Sequence, residues 1–119
     1  MAAGIKCIHD RNVMHRDIKP ENFLAFVKDR KIIVKLSDFG AAKEYVTMSA
    51  GTNTGTFNYM APERLEESAK CTLESDIWSL GCVIFELLTG EIAFPGRNPY
   101  KDISNVNYKI QNVQNDDFK

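Results

Sequence analysis

The run from Ser75 to Gly90, SDIWSLGCVIFELLTG, constrains this chain more than any other stretch. Its pattern predicts a helix over residues 75–89. Ser75 or Asp76 can cap its start, and Gly90 followed by Pro95 ends it. Ile77, Trp78, Leu80, Val83, Ile84, Phe85, Leu87 and Leu88 make it apolar nearly all round. A helix of that kind belongs in the middle of a domain rather than on its surface. The chain has 119 residues, 44% of them hydrophobic, which is enough for a core. It is also short, so part of this helix is expected to stay uncovered.

Other elements are read as its cover. Residues 1–9 look like helical turns, with Ile5 and Ile8 spaced to share a buried face. Residues 10–12 read as a turn and lead to the apolar pair Val13-Met14. Residues 15–22, HRDIKPEN, are dense in charge, and Pro20 argues against a helix interior. Residues 23–27 and 31–36 predict two short strands around the polar turn at 28–30, a β-hairpin in which Ile32, Val34 and Leu36 share one face. Residues 41–60 show no period and are rich in small polar residues. A loop that long is usually functional or disordered. A short helical piece is expected over 61–68.

Charge and cysteines narrow the function. Fifteen Lys and Arg stand against 16 Asp and Glu, a net charge of −1. That balance argues against a protein that coats nucleic acid or a membrane surface. Residues 77–88 are too few to span a bilayer and include Glu86, and residues 1–6 do not read as a secretory signal. Cys7, Cys71 and Cys82 are widely spaced and odd in number. They read as free thiols in a reducing cytosol or nucleus rather than a disulfide framework.

The chemistry lies in four residues. Asp17 and Asn22 are five apart on the Pro-containing loop, Lys19 follows Asp17 by two, and Asp38 ends the hairpin. Carboxylate and amide oxygens suit Mg²⁺. A carboxylate free of metal can accept a proton, and a lysine can neutralise a transferred phosphoryl group. Together they suggest metal-assisted phosphoryl transfer.

HRDIKPEN at residues 15–22, Asp38-Phe-Gly and Ala61-Pro-Glu, in that order, resemble the motif set of the eukaryotic protein kinases. The resemblance covers essentially the whole chain and implies an α+β fold: a mostly helical part of the kinase large lobe, with a short hairpin between catalytic loop and DFG. By that likeness Asp17 orients the substrate hydroxyl and takes its proton, and Lys19 contacts the γ-phosphate of ATP. Asn22 and Asp38 hold Mg²⁺, and Leu24 forms a floor under the adenine. Phe39 packs on His15, Asp76 holds the catalytic-loop backbone from the apolar helix, and Glu63 pairs with a later arginine. Lys19 after Asp17, and Thr56 five residues before Ala61, resemble the serine/threonine class, with Thr56 bonded to Asp17 and Lys19. Arg16 and Lys43 would form a basic pocket for a phosphorylated loop residue. Thr52 is the expected site, with Thr47, Ser49 and Thr54 as competitors.

The plainer readings stand beside these. His15 and Asp76 read as structural, Trp78 and Phe85 as core, and Lys6, Lys28, Arg30 and Lys31 as solvated surface charges. The family's glycine-rich loop, its Val-Ala-Ile-Lys strand and its last helices are not in the sequence. Residues 1–119 are therefore expected to be a partial kinase domain. It would act on Ser or Thr of protein substrates as part of a whole, without phosphotransfer when isolated. The alternative is a non-catalytic fragment that competes for a kinase's partners.

Overall fold

A computed structural model describes residues 1–41, 43–44, 57–65 and 71–95. The described elements are two α-helices and two separate antiparallel strand pairs. Among the described residues, no helix is long and apolar enough to cross a membrane.

Helix α1 spans Ala2–His9 and turns Ile5 fully into the core, while Ile8 is only partly covered. Its end is tied locally. The Asp10 amide donates to the Lys6 carbonyl at 2.9 Å, and Arg11 Nη1 to the Cys7 carbonyl at 2.7 Å. Asn12 then takes a left-handed φ of 55°, which asparagine tolerates better than most residues. This turns the chain into β1, Val13–Met14. Strand β1 pairs with β4, Lys43–Glu44, in the register Val13 to Glu44 and Met14 to Lys43. Neither strand was expected. Two residues are too few to show a period, and the partner lies thirty positions away.

The hairpin follows the reading closely. Strand β2 is Phe23–Lys28 and β3 is Lys31–Leu36, paired from Phe23 with Leu36 out to Lys28 with Lys31. Asp29 and Arg30 make the turn, both left-handed at φ 51° and 59°. Two positive-φ residues are what a two-residue hairpin turn demands, because they match the twist of the strands. Ile32, Val34 and Leu36 do share a face, but only its base is buried. Phe23 and Leu36 pack on the core, while Val27 and Ile32 near the tip are 73% and 77% exposed.

Helix α2 runs Leu73–Thr89. It starts two residues earlier than expected and its N-cap is Thr72, not Ser75 or Asp76. Ser75 serves as the third helical residue, whose hydroxyl accepts the Thr72 amide at 3.3 Å. Asp76 is left free for another task. Gly90 ends the helix at φ 73°, and its amide donates to the Glu86 carbonyl at 2.7 Å.

The helix is not buried all round. Ser75, Asp76, Ser79, Leu80, Cys82, Val83 and Phe85 are buried, whereas Ile77, Ile84, Leu87 and Leu88 are exposed. The buried side meets Ile5, Ile18, Tyr59, Ala93 and Phe94, and Trp78 stacks on Phe94 with ring centroids 5.2 Å apart. Ser79 fixes the segment before Ala61 to the helix, its hydroxyl lying 2.6 Å from the Tyr59 carbonyl and 3.0 Å from the Ser75 carbonyl. The Tyr59 hydroxyl donates to Glu86 at 2.7 Å. Burial, and after it that hydrogen bond, raise the Tyr59 phenol above its ordinary range. The helical piece expected over 61–68 is a short 3₁₀ turn, Pro62–Leu65, and residues 66–68 lie outside the described residues.

Candidate active site

The loop at residues 15–22 is built around one buried carboxylate. Asp76, 2% exposed on the first turns of α2, accepts the His15 amide on Oδ2 at 2.8 Å and the Arg16 amide on Oδ1 at 2.9 Å. Both amides can reach it because Arg16 is left-handed, at φ 72°. A non-glycine residue there carries strain, and two charge-assisted hydrogen bonds offset it. His9 adds a third contact, Nε2 to Asp76 Oδ2 at 2.9 Å. Since a carboxylate only accepts, that nitrogen carries the proton. Arg64 closes the loop from the other side, donating from Nη1 to the Arg16 carbonyl at 2.9 Å.

The loop is also tied to the base of the hairpin. The Ser37 amide and hydroxyl both donate to the Asn22 carbonyl, at 2.8 and 3.0 Å. His15 is fully buried and donates from Nε2 to the Ser37 carbonyl at 2.9 Å. Its unprotonated Nδ1 faces the Asp17 amide at 3.4 Å. Phe39 meets the His15 ring edge-on, with centroids 5.0 Å apart. The residues on either side of Asp38 are therefore held by the same loop that carries Asp17.

Within this frame Asp17 is oriented unequally at its two oxygens. Oδ2 receives Lys19 Nζ at 2.8 Å and Asn22 Nδ2 at 3.2 Å, while Asn22 Nδ2 also bonds the Asp17 carbonyl at 2.7 Å. Oδ1 is buried and has no hydrogen-bond donor among the described residues. The bond to Asp17 keeps Lys19 protonated above its ordinary range, and the charges of Glu21 and Asp38 add to this. Asp38 is exposed, at φ 59°, and its Oδ1 accepts the Gly40 amide at 3.3 Å. A Cβ at Gly40 would come to 3.2 Å from that same oxygen, so a side chain there would push the Asp38 carboxylate by a few tenths of an ångström.

Could Asn22 and Asp38 hold Mg²⁺? Among the described residues there is no cluster of three or more His, Cys, Asp or Glu able to hold a metal. Mg²⁺ does not require one, since it keeps waters and uses one or two carboxylates together with substrate phosphates. Asn22 spends its amide nitrogen on Asp17, so the amide oxygen is the group it can offer. An amide oxygen and an exposed carboxylate are both hard donors, and the pair fits.

The remaining expected residues divide. Leu24 lies on β2 opposite Lys35 and is 56% exposed. Glu63 accepts the Ser75 hydroxyl on Oε1 at 2.7 Å. Arg16 is buried, and of Lys43 only the backbone is described. Thr52 and Thr56, with the competitors Thr47, Ser49 and Thr54, lie outside the described residues. His9, Ser37 and Arg64 were missed. For His9 the only signal was a histidine ending a helix whose isoleucines face inward. All three cysteines are free, and burial pushes the Cys82 thiol up to about 12, which makes it inert.

Comparison with known proteins agrees with the geometry. The protein kinase domain model matches residues 1–119. Serine/threonine-protein kinase nekl-2 of Caenorhabditis elegans is 44% identical over 110 residues, covering 92% of this chain and 30% of that protein. MAP kinase kinase skh1/pek1 of Schizosaccharomyces pombe is 44% identical over 110 residues, 91% of this chain and 29% of its own length. Serine/threonine-protein kinase ATG1b of Arabidopsis thaliana is 36% identical over 107 residues, 89% of this chain and 15% of its own length. The chain thus spans less than a third of the length of these relatives, and it belongs to the protein kinase family.

Proposed function

We propose that residues 1–119 are the catalytic-loop part of the large lobe of a serine/threonine protein kinase, which transfers the γ-phosphoryl group of ATP to protein Ser and Thr hydroxyls. The observation that carries this is the asymmetry at Asp17. One oxygen is fixed by Lys19 and Asn22, while the other has no hydrogen-bond donor among the described residues, so its lone pairs are unspent and can take the proton of a hydroxyl that displaces what covers it. Lys19, held cationic, can turn from Asp17 to the transferring phosphoryl group and balance its charge. Asn22 and Asp38 would hold Mg²⁺, which supplies charge neutralisation on the ATP phosphates. Leu24 would lie under the adenine, and its exposure on β2 leaves it open to do so.

Thr56 would position the acceptor beside Asp17 and Lys19. Phosphorylation of Thr52 would order its loop against Arg16 and Lys43. The three free thiols support a cytosolic or nuclear setting. Positioning supplies much of the rate in phosphoryl transfer, so the 119 residues alone are expected to transfer negligible phosphate.

A chimera tests the proposal. The 110 residues of this chain that align with nekl-2 replace their counterparts there. The folded chimera should label a Ser/Thr protein substrate from ATP, and Asp38→Ala should abolish the label. A folded chimera with no transfer, or one indifferent to Asp38→Ala, contradicts the proposal.

A further inference from the structure

The distal half of the β2–β3 hairpin takes no part in the site. Residues 26–35 hold four cations, Lys28, Arg30, Lys31 and Lys35, and one acid, Asp29, in a chain whose net charge is −1. The register sorts them. On one face Leu24 lies opposite Lys35, Phe26 opposite Ile33, and Lys28 opposite Lys31. Lys28, Lys31 and Lys35 are exposed, and none has a salt bridge among the described residues. Two lysines directly across a strand pair repel each other, and a bound anion relieves that repulsion. Between the lysine rungs sit Phe26, 40% exposed, and the half-buried Ile33.

We propose that this face docks an extended acidic protein segment. An apolar residue of the segment seats on Phe26 and Ile33, and its carboxylates meet Lys28 and Lys31 on one side and Lys35 on the other. Side chains on one face recur every second residue, about 7 Å apart. The segment therefore carries its acids two residues before and two residues after the apolar one. Two features favour a protein over other polyanions. The Lys35 ammonium lies over the Phe26 ring, 5.3 Å from its centroid, which competes with a flat base stacking across the whole ring but leaves the ring edge and Ile33 for an aliphatic side chain. A single apolar rung between lysine rungs is too small to anchor in lipid. The inference does not depend on the kinase reading.

The probe is a labelled peptide, Ser-Glu-Thr-Leu-Thr-Glu-Ser, titrated into the full chain by NMR. Its control is the isomer Ser-Thr-Glu-Leu-Glu-Thr-Ser, whose acids point away from the leucine's face. The first should move the amide signals of residues 26–35, and the isomer should bind at least about fivefold more weakly. Lys28→Glu with Lys31→Glu should weaken binding about tenfold or more. Lys35→Gln is the second, milder variant and should weaken it too, while Val27→Thr on the opposite face should not. Equal binding of the isomer, or indifference to the lysine variants, overturns the proposal. So does capture of phosphatidylserine vesicles or an oligonucleotide by these lysines when the peptide fails to bind.

Discussion

The loop at residues 15–22 and the tip of the β2–β3 hairpin are both rich in charge, and they use it in opposite ways. In the loop Lys19 and Asp17 are fixed on each other, and charged residues from outside hold its backbone. Asp76 gathers two amides and His9, Arg64 holds the Arg16 carbonyl, and Lys19 meets Asp17. At the tip Lys28 and Lys31 face each other, and Val27 and Ile32 stand in solvent behind them. The loop is over-determined, so it can hold Arg16 at a strained left-handed φ and keep one Asp17 oxygen without a donor among the described residues. The tip is determined only by its own ladder and turn. Precision is needed where atoms must be aligned for chemistry, whereas the tip needs only the register of its own strands.

The contrast can be broken most severely at Asp76. Asp76→Ala leaves the His15 and Arg16 amides and the His9 ring without their acceptor. It should cost on the order of 3–5 kcal/mol, read as a fall in the urea midpoint. Loss of less than about 1 kcal/mol would mean that the loop is held by other contacts. The opposite extreme sharpens the comparison. Val27→Thr together with Ile32→Thr should change stability by no more than about 0.5 kcal/mol, because neither side chain is buried. A larger loss would show that the tip packs against something in solution.

The same contrast explains what the sequence made legible. The hairpin could be read because alternation over 31–36 and a polar turn are local signals, and both ends of the pairing lie within fourteen residues. Helix α2 could be read because its apolar run is long and Gly90 marks its end. Its partial exposure was expected too, but which residues would be exposed was not legible, because that depends on which neighbours arrive, and Ile77, Ile84, Leu87 and Leu88 are the ones left without cover. The N-cap at Thr72 was hidden because Ser75 and Asp76 are equally good capping residues by type. Asp76 and the His15–Phe39 contact were legible only through the kinase resemblance. Asp76 bridges sixty positions of sequence, and no periodicity reports such a distance. His9, Ser37 and Arg64 escaped for the same reason. Each acts through hydrogen bonds to residues far along the chain or across a turn, which composition and spacing do not encode.

The central claim is that the loop presents Asp17 to take a proton during phosphoryl transfer, and turnover of the Asp17→Asn variant tests it most directly. In the nekl-2 chimera, kcat should fall roughly 10²–10⁴-fold with KM for ATP little changed, because the amide keeps the geometry and loses only the base. An unchanged kcat would contradict the account.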